Sequence, residues 1–395
     1  MPDLQPEPAH AASIVAVLGA GQLGRMLVLA GVPLGLRFRF LDPDPHPPAA
    51  AVGEHIRAAF DDTDALEALI DGADTLTFEF ENVPARVVGF ISDHLRDHGA
   101  LPPAPPARAL AVAQDRLEEK QLFQTLRIPV PGFFAIDSRK DLDGAIAELG
   151  LPLVVKTRRG GYDGKGQFVL RNAAHADACW QQLSHACETG KGGLIAEAFV
   201  PFTRELSIVA VRARDGSTAC YPLIENHHEG GILRQSIAPA PSVSPDLQQR
   251  AETHARNLLD ELDYVGVLTL ELFEVQEGTE SRVIANEMAP RVHNSAHLTI
   301  EASRTSQFEN HIRAITGLPL GPTEMKPGVE RAVMLNLIGK STLVKEILAA
   351  VPDAHPHLYA KSPRPGRKLG HITLINPTET DLQALTALIG SGDPA

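Results

Sequence analysis

The chain has 395 residues, 44% of them hydrophobic and 22% charged. That usage belongs to a folded globular protein rather than a disordered or fibrous one, and the length exceeds what a single core usually fills, so two or three domains are expected. The net charge of -13 excludes a general nucleic-acid binder, whose affinity comes from many cations on phosphates, and confines any phosphate site to a local cluster.

Residues 1–12 carry acids and prolines where an export signal would have positive charge and an apolar core, and they read as a disordered leader. Ser13 to Gly19 is an apolar run ending in glycine, followed by helical spacing over Gln22 to Gly31. Arg37 to Leu41 and Thr75 to Phe80 read as further strands, with a helix near Ala65 to Ile70 between them. Strands alternating with helices predict a parallel α/β domain over 13–107.

A proline-rich connector, Leu101 to Ala107, precedes one helix over Ala109 to Leu126. Beyond it, strand-like runs at Leu153 to Lys156, Gln167 to Leu170, Leu194 to Phe199, Leu206 to Ala213, Val267 to Phe273 and Arg282 to Asn286 predict an α+β domain over 108–325. Strands at Ala332 to Leu337 and His371 to Ile375 flank a basic turn in a last domain, 326–395. No apolar run approaches the roughly 20 residues that cross a bilayer, so no membrane partner is expected. The cysteines, Cys179, Cys187 and Cys220, have neither metal-ligand spacing nor an even count, which fits a reducing, cytoplasmic location.

Gly19-Ala-Gly21-Gln-Leu-Gly24, between strand and helix and followed by Asp42, matches a dinucleotide fingerprint. Its physical content is a tight turn that presents helix amides to an anion, so an NAD-dependent oxidoreductase and a plain strand-to-helix turn both stay open. The segment Gly160 to Gln167 has four glycines in eight positions. With Lys156 and Lys165 it suits a cover over a triphosphate, since glycine lets backbone amides approach phosphate oxygens. Glu197 to Val200 could offer backbone groups to an adenine, and Glu205 could accept from ribose hydroxyls. Glu271 and Glu287, each in an otherwise apolar strand, would form an oxygen site for a divalent cation bridging phosphates if the strands are neighbours, and Asn286 could add a neutral oxygen. Arg291, His293, Asn294 and Ser295 follow as a polar cluster suited to a developing anion.

In order, Arg108, Lys156, GGYDGKGQ, Glu197, Glu205, NHHEGGI, LELF, NEMAPRVHNSAH and the closing Lys361-Ser-Pro-Arg364-Pro-Gly-Arg367-Lys368 resemble the N5-carboxyaminoimidazole ribonucleotide synthetases of the ATP-grasp superfamily. GAGQLGRML and TFEFENVP extend the likeness towards the front. The resemblance implies a Rossmann-like pre-ATP-grasp domain, a two-lobed ATP-grasp domain and a small C-terminal domain.

It implies that ATP is surrounded by Arg108, Lys156, the lid Gly161, Tyr162, Asp163, Gly164, Lys165, Gly166 and Gln167, the segment Glu197, Ala198, Phe199 and Val200, and Glu205, His228, Asn286 and Glu287. Glu271 and Glu287 would hold magnesium or manganese. Aminoimidazole ribonucleotide would lie near Gln22, Glu79, Asp163, Asn294 and Ser295, with its phosphate on Lys361, Arg367 and Lys368. Tyr162, Lys165, Arg291 and His293 would steady a carboxyphosphate formed from ATP and bicarbonate. The implied assembly is a homodimer. Lys165, Ala296 and Ala360 depart from the pattern, which has arginine, glycine and an acid there. Other expectations kept alongside are a different ATP-grasp acceptor, as in formyl transfer to glycinamide ribonucleotide, and a nucleotide-sensing scaffold.

Overall fold

The computed structural model describes residues 13–161, 166–188, 192–278 and 280–390. The leader 1–12 and the lid residues Tyr162, Asp163, Gly164 and Lys165 lie outside them. The chain divides into two compact units, Met1–Phe80 with Pro84–Ala104, and Glu81–Val83 with Pro105–Ala395.

The first unit is a four-stranded parallel sheet. Strands β1 (Ile14–Leu18), β2 (Arg37–Leu41), β3 (Glu54–Ile56) and β4 (Thr75–Phe78) lie in the order β3-β2-β1-β4. Helices α1 (Gln22–Gly31), α2 (Thr63–Ile70) and α3 (Ala85–Asp97) follow β1, β3 and β4. Val15 to Leu18 and Leu76 to Phe78 are buried throughout, as expected of parallel strands covered on both faces.

In the second unit the expected single helix over Ala109 to Leu126 is two helices, α4 (Ala107–Ala113) and α5 (Arg116–Thr125). The break falls at Asp115, whose backbone is extended and whose carboxylate accepts the Leu117 N–H at 3.1 Å, capping α5. Arg158 holds the same carboxylate at 2.9 and 2.8 Å.

A small antiparallel sheet follows. It contains β5 (Phe133–Ile136), β6 (Leu153–Thr157), β7 (Gln167–Leu170) and β8 (Leu194–Ala198), in the order β5-β8-β6-β7. Leu153 and Val155, two apart on β6, point into a core shared with helices α6 (Arg139–Leu149) and α7 (Ala176–Leu183), which leaves Lys156 on the other face.

The larger sheet joins β9 (Arg204–Arg212), β10 (Thr218–Cys220), β11 (Ile224–Glu229), β12 (Ile232–Ala238), β13 (Gly266–Glu277) and β14 (Glu280–Ala289). Helix α8 (Pro245–Glu261), capped by the Ser244 hydroxyl, packs Leu247, Ala251, Ala255 and Leu258 against it at helical spacing. The chain continues through the short helix α9 (Thr299–Ala302) and α10 (Gln307–Thr316).

The same sheet then takes in β15 (Ala332–Ile338), β16 (His355–Leu358) and β17 (Lys368–Ile375), giving the path β14-β13-β9-β11-β12-β15-β17-β16 with β10 on β9. Helices α11 (Val344–Ala350) and α12 (Glu379–Ile389) complete a core with β15 and β17. Among the described residues, no helix is long and apolar enough to cross a membrane.

Candidate active site

In the first unit the glycine turn is filled by the chain's own carboxylate. The Gly24 N–H donates to Glu79 Oε2 at 2.7 Å, and a Cβ on Gly21 would lie 2.1 Å from Glu79 Oε1. Asp42 accepts the Ala20 N–H at 2.8 Å. A pyrophosphate on the α1 N-terminus would need the place that Glu79 holds, so the glycines serve close approach of a side chain, against the dinucleotide reading. Gln22, the first residue of α1, is half-buried in this unit.

In the second unit, antiparallel pairing sets Glu271 of β13 opposite Glu287 of β14. The register slips by one residue beside them, so Asn286 is bulged out of the ladder, with its Oδ1 buried and without a hydrogen-bond partner among the described residues. Glu271 accepts from His293 Nε2 at 3.0 Å. Desolvation raises both carboxyls. The hydrogen bond from His293, with the charges of His228 and Arg291, nevertheless lowers Glu271 below the ordinary carboxylate value, whereas the Glu271 charge pushes Glu287 further up. Two carboxylates and an orphaned amide oxygen form a hard donor set. It fits a magnesium-type ion, which commonly takes one or two protein carboxylates and completes its shell with waters and phosphates. No group of three or more His, Cys, Asp or Glu placed to hold a metal occurs among the described residues.

Lys156 Nζ lies 3.1 Å from Glu197, diagonally placed on the neighbouring strand β8. Glu197 is almost wholly buried. Burial opposes its charge, but Lys120 first and then Lys156 outweigh it and hold the carboxyl at about 2. Lys120 Nζ, 3.5 Å from Glu197, is itself buried and donates to the carbonyls of Ala285 and Asn286. Burial, aided by Lys156, lowers its pKa against the pull of Glu197.

Helix α5 thus ties the small sheet to the large one. Arg116 donates to the Thr157 carbonyl at 3.1 Å and the Gly161 carbonyl at 3.0 Å, and lies 3.9 Å from Glu287. Glu119 accepts the Met288 N–H at 2.7 Å and is pushed up to about 8 by burial, with Lys120 opposing and Glu287 adding. Sequence reasoning missed Arg116, Glu119 and Lys120, since charges in a helix are usually solvated. The available signal is spacing, because Glu119 and Lys120 share a stripe with Phe123.

The hairpin that carries the lid begins at Lys156, paired with Gln167. Gly166 closes it at φ 71, where a Cβ would meet Thr157 Oγ1 at 2.8 Å. At the end of β8, Phe199 is exposed, with the Arg171 guanidinium 5.5 Å above its ring, and Val200 follows. Glu205 lies 2.6 Å from His228 Nδ1. Burial works against the charged ring, but Glu205 prevails and raises the His228 pKa. Arg108 is largely exposed, its guanidinium held by Glu261 at the end of α8 rather than by the carboxylates above.

Arg291 pairs with Glu81 at 2.5 Å. Burial raises the Glu81 carboxyl, yet Arg291 keeps it at about 2. Asn294 exchanges amide hydrogen bonds with Asn336 of β15 at 3.1 and 2.7 Å. Ser295, expected near the ribonucleotide, is fully buried, with its hydroxyl on His293 and Ser207.

The basic turn before β17 carries Arg367, which donates to the Ser362 carbonyl, and Lys361, whose Nζ lies 5.9 Å from the Tyr359 ring centre. Lys368, the first residue of β17, places its charge within reach of His228 and His297. Ala360, at φ 54, sits in the left-handed region.

A glycine hairpin and a half-buried lysine on one antiparallel sheet, together with a facing carboxylate pair on a second, are the parts of an ATP-grasp ligase. Family models agree. An ATP-grasp domain matches residues 121–308, a ribonucleotide synthetase preATP-grasp domain 13–114, and a phosphoribosylaminoimidazole carboxylase C-terminal domain 332–385. The N5-carboxyaminoimidazole ribonucleotide synthase of Pseudomonas aeruginosa is 50% identical over 94% of this chain and 97% of its own. The crystal structure of the Thermus thermophilus synthetase superposes with a TM-score of 0.86 at 48% identity, over 97% of this chain and 100% of that one. The Aspergillus clavatus synthase, crystallised with ADP and 5-aminoimidazole ribonucleotide, gives 0.83 at 29% identity, over 96% and 98%. The chain belongs to the N5-carboxyaminoimidazole ribonucleotide synthase family, whose members are ATP-grasp ligases.

Proposed function

We propose that the chain joins bicarbonate to the amino group of 5-aminoimidazole ribonucleotide, at the cost of ATP, giving N5-carboxyaminoimidazole ribonucleotide, ADP and phosphate in purine biosynthesis. The observation that carries the reading is the facing pair Glu271 and Glu287 beside Lys156, Glu197 and the glycine hairpin, in a chain similar throughout to these synthases.

Bicarbonate attacks the γ-phosphorus, ADP leaves, and the substrate amine captures the carboxyl group of carboxyphosphate or the carbon dioxide it releases. Glu271, Glu287 and the Asn286 oxygen would hold magnesium or manganese, which supplies positive charge to the triphosphate. Lys156 and the amides of the hairpin neutralise the phosphates, the Glu197 to Val200 segment takes the adenine, and Glu205 takes the ribose. Arg291, with Tyr162 and Lys165 on the lid, steadies carboxyphosphate, and closure of the lid keeps water from it. Lys361, Arg367 and Lys368 grip the ribonucleotide phosphate, a local basic cluster in a chain of net charge -13. The working form is a cytoplasmic homodimer.

The test is ADP release by the purified protein with ATP, with each of bicarbonate and aminoimidazole ribonucleotide added or withheld. Fast release only when both are present supports the reading. Release driven instead by formate and glycinamide ribonucleotide would replace the acceptor, and nucleotide binding without turnover would favour a sensor.

A further inference from the structure

Four buried polar side chains behind His293 form a hydrogen-bonded line that the reaction scheme leaves unused. Ser236 Oγ donates to Asn226 Oδ1 at 2.9 Å, and Asn226 Nδ2 donates to Ser207 Oγ at 3.0 Å. Ser207 Oγ lies 2.9 Å from Ser295 Oγ, which lies 2.9 Å from His293 Nδ1. Ser207, Ser236 and Ser295 have no exposed surface, and Asn226 has 5%.

The direction of this line is fixed at its far end. The backbone N–H of Ser295 also points at His293 Nδ1, at 3.4 Å, and a backbone amide cannot reverse its role. Nδ1 is therefore an acceptor. A serine hydroxyl has one proton to give, so Ser295 gives it to Nδ1, Ser207 gives its own to Ser295, and the Asn226 amide serves Ser207. The opposite nitrogen, Nε2, then carries the ring proton, and it faces Glu271 Oε1 at 3.0 Å.

We propose that Ser295, Ser207 and Asn226 are positioning residues that lock His293 as the neutral Nε2–H tautomer, so that it donates to one oxygen of Glu271 and leaves the other aimed at the cation. His293 thereby acts through Glu271, with no free lone pair to take the substrate's amine proton. The hydrogen bond made by one ring nitrogen sets the tautomer of the other, and changes to such outer partners commonly cost 10- to 100-fold in metal affinity or activity.

The inference rests on the proposed metal role of Glu271, but its first readout does not. In the full chain labelled with 15N-histidine, two-bond proton–nitrogen correlation separates the tautomers, and His293→Asn identifies the His293 signals. The expected result is a neutral Nε2–H ring in the wild type, a measurable Nδ1–H fraction in Ser207→Ala, where the Ser295 hydroxyl is free to turn and only the long backbone contact still holds Nδ1 as acceptor, and recovery in Ser207→Thr. A neutral Nδ1–H ring, a doubly protonated ring, or a signal indifferent to Ser207→Ala would overturn the proposal. In turnover, Ser207→Ala should raise the Mg2+ concentration for half-maximal rate about 10-fold with the ribonucleotide KM unchanged; equal losses in every parameter would mark a merely structural role and overturn it too. Failure of the ADP assay with the Nε2–H signal intact would sink the carboxylation reading alone.

Discussion

Glu271 and Glu287 face each other across one antiparallel pair, the first lowered by the hydrogen bond from His293 and the second driven up by burial and its neighbour's charge. Such a pair is electrostatically unfinished without a cation, which couples metal binding to stability. Mg2+ should raise the melting temperature of the wild type, by mass action on the folded state. Glu287→Gln should remove that response and lower turnover at least about 100-fold, with circular dichroism unchanged. Undiminished Mg2+ stabilisation in the variant would place the ion elsewhere.

Lys120 is the second cation on the buried Glu197 carboxylate. Lys120→Met leaves that charge half-compensated and frees two carbonyls of β14. Breaking one partner of a buried ion pair commonly costs about 3 kcal/mol or more. Urea denaturation should show a loss of that order, together with weaker ADP binding by calorimetry. A loss below about 1 kcal/mol would mean that the lysine is not needed to hold Glu197 ionised.

Lys368 opens β17, and its charge is felt at His228. If it holds the ribonucleotide phosphate, Lys368→Ala should raise the KM for that substrate about 10- to 100-fold while leaving the KM for ATP nearly unchanged, since a phosphate contact contributes uniform binding. Steady-state kinetics with each substrate varied decide it. An effect on ATP alone would move the residue to the nucleotide side.

His311 on α10 is buried, accepts the Val267 N–H at Nδ1 at 3.1 Å, and is pushed down to about 4 by burial. Its folded pKa lies below the unfolded value of about 6.5, so the unfolded chain binds the extra proton first as pH falls. Stability from this group is complete above about pH 6.5 and drains away towards pH 4, by about 3 kcal/mol in all. His311→Phe should flatten the slope of stability against pH in that window. An unchanged slope would assign the acid sensitivity to other groups.

The strands at Leu153, Gln167 and Leu194, and those that carry Glu271 and Glu287, were legible because alternation and apolar runs are local signals, whereas the pairing that sets the two glutamates opposite each other came only with the fold. The strands β11 and β12 were not read as strands, since NHHEGGI carries a polar pattern that only its pairing with β9 and β15 explains. The break at Asp115 depends on Arg158, 43 residues away, and the partner of Arg291 is 210 residues distant. No window along the chain contains such pairs. The inward turn of the Ser295 hydroxyl and the burial of Lys120 follow from tertiary packing in the same way, while the residue types alone favour solvent or ligand.

The hydrogen bonding of β12 to β15, from Gln235 with Leu335 to Ala238 with Ala332, has a practical outcome for engineering. A chimera that exchanged the last 70 or so residues for those of a relative would have to rebuild that ladder, and a truncation near residue 325 would bare a row of amides ready to pair with another molecule. The basic turn before β17 is in effect an outgrowth of the sheet that carries Glu271 and Glu287, so if it takes the substrate phosphate as proposed, the two ends of that sheet should change together as such enzymes diverge.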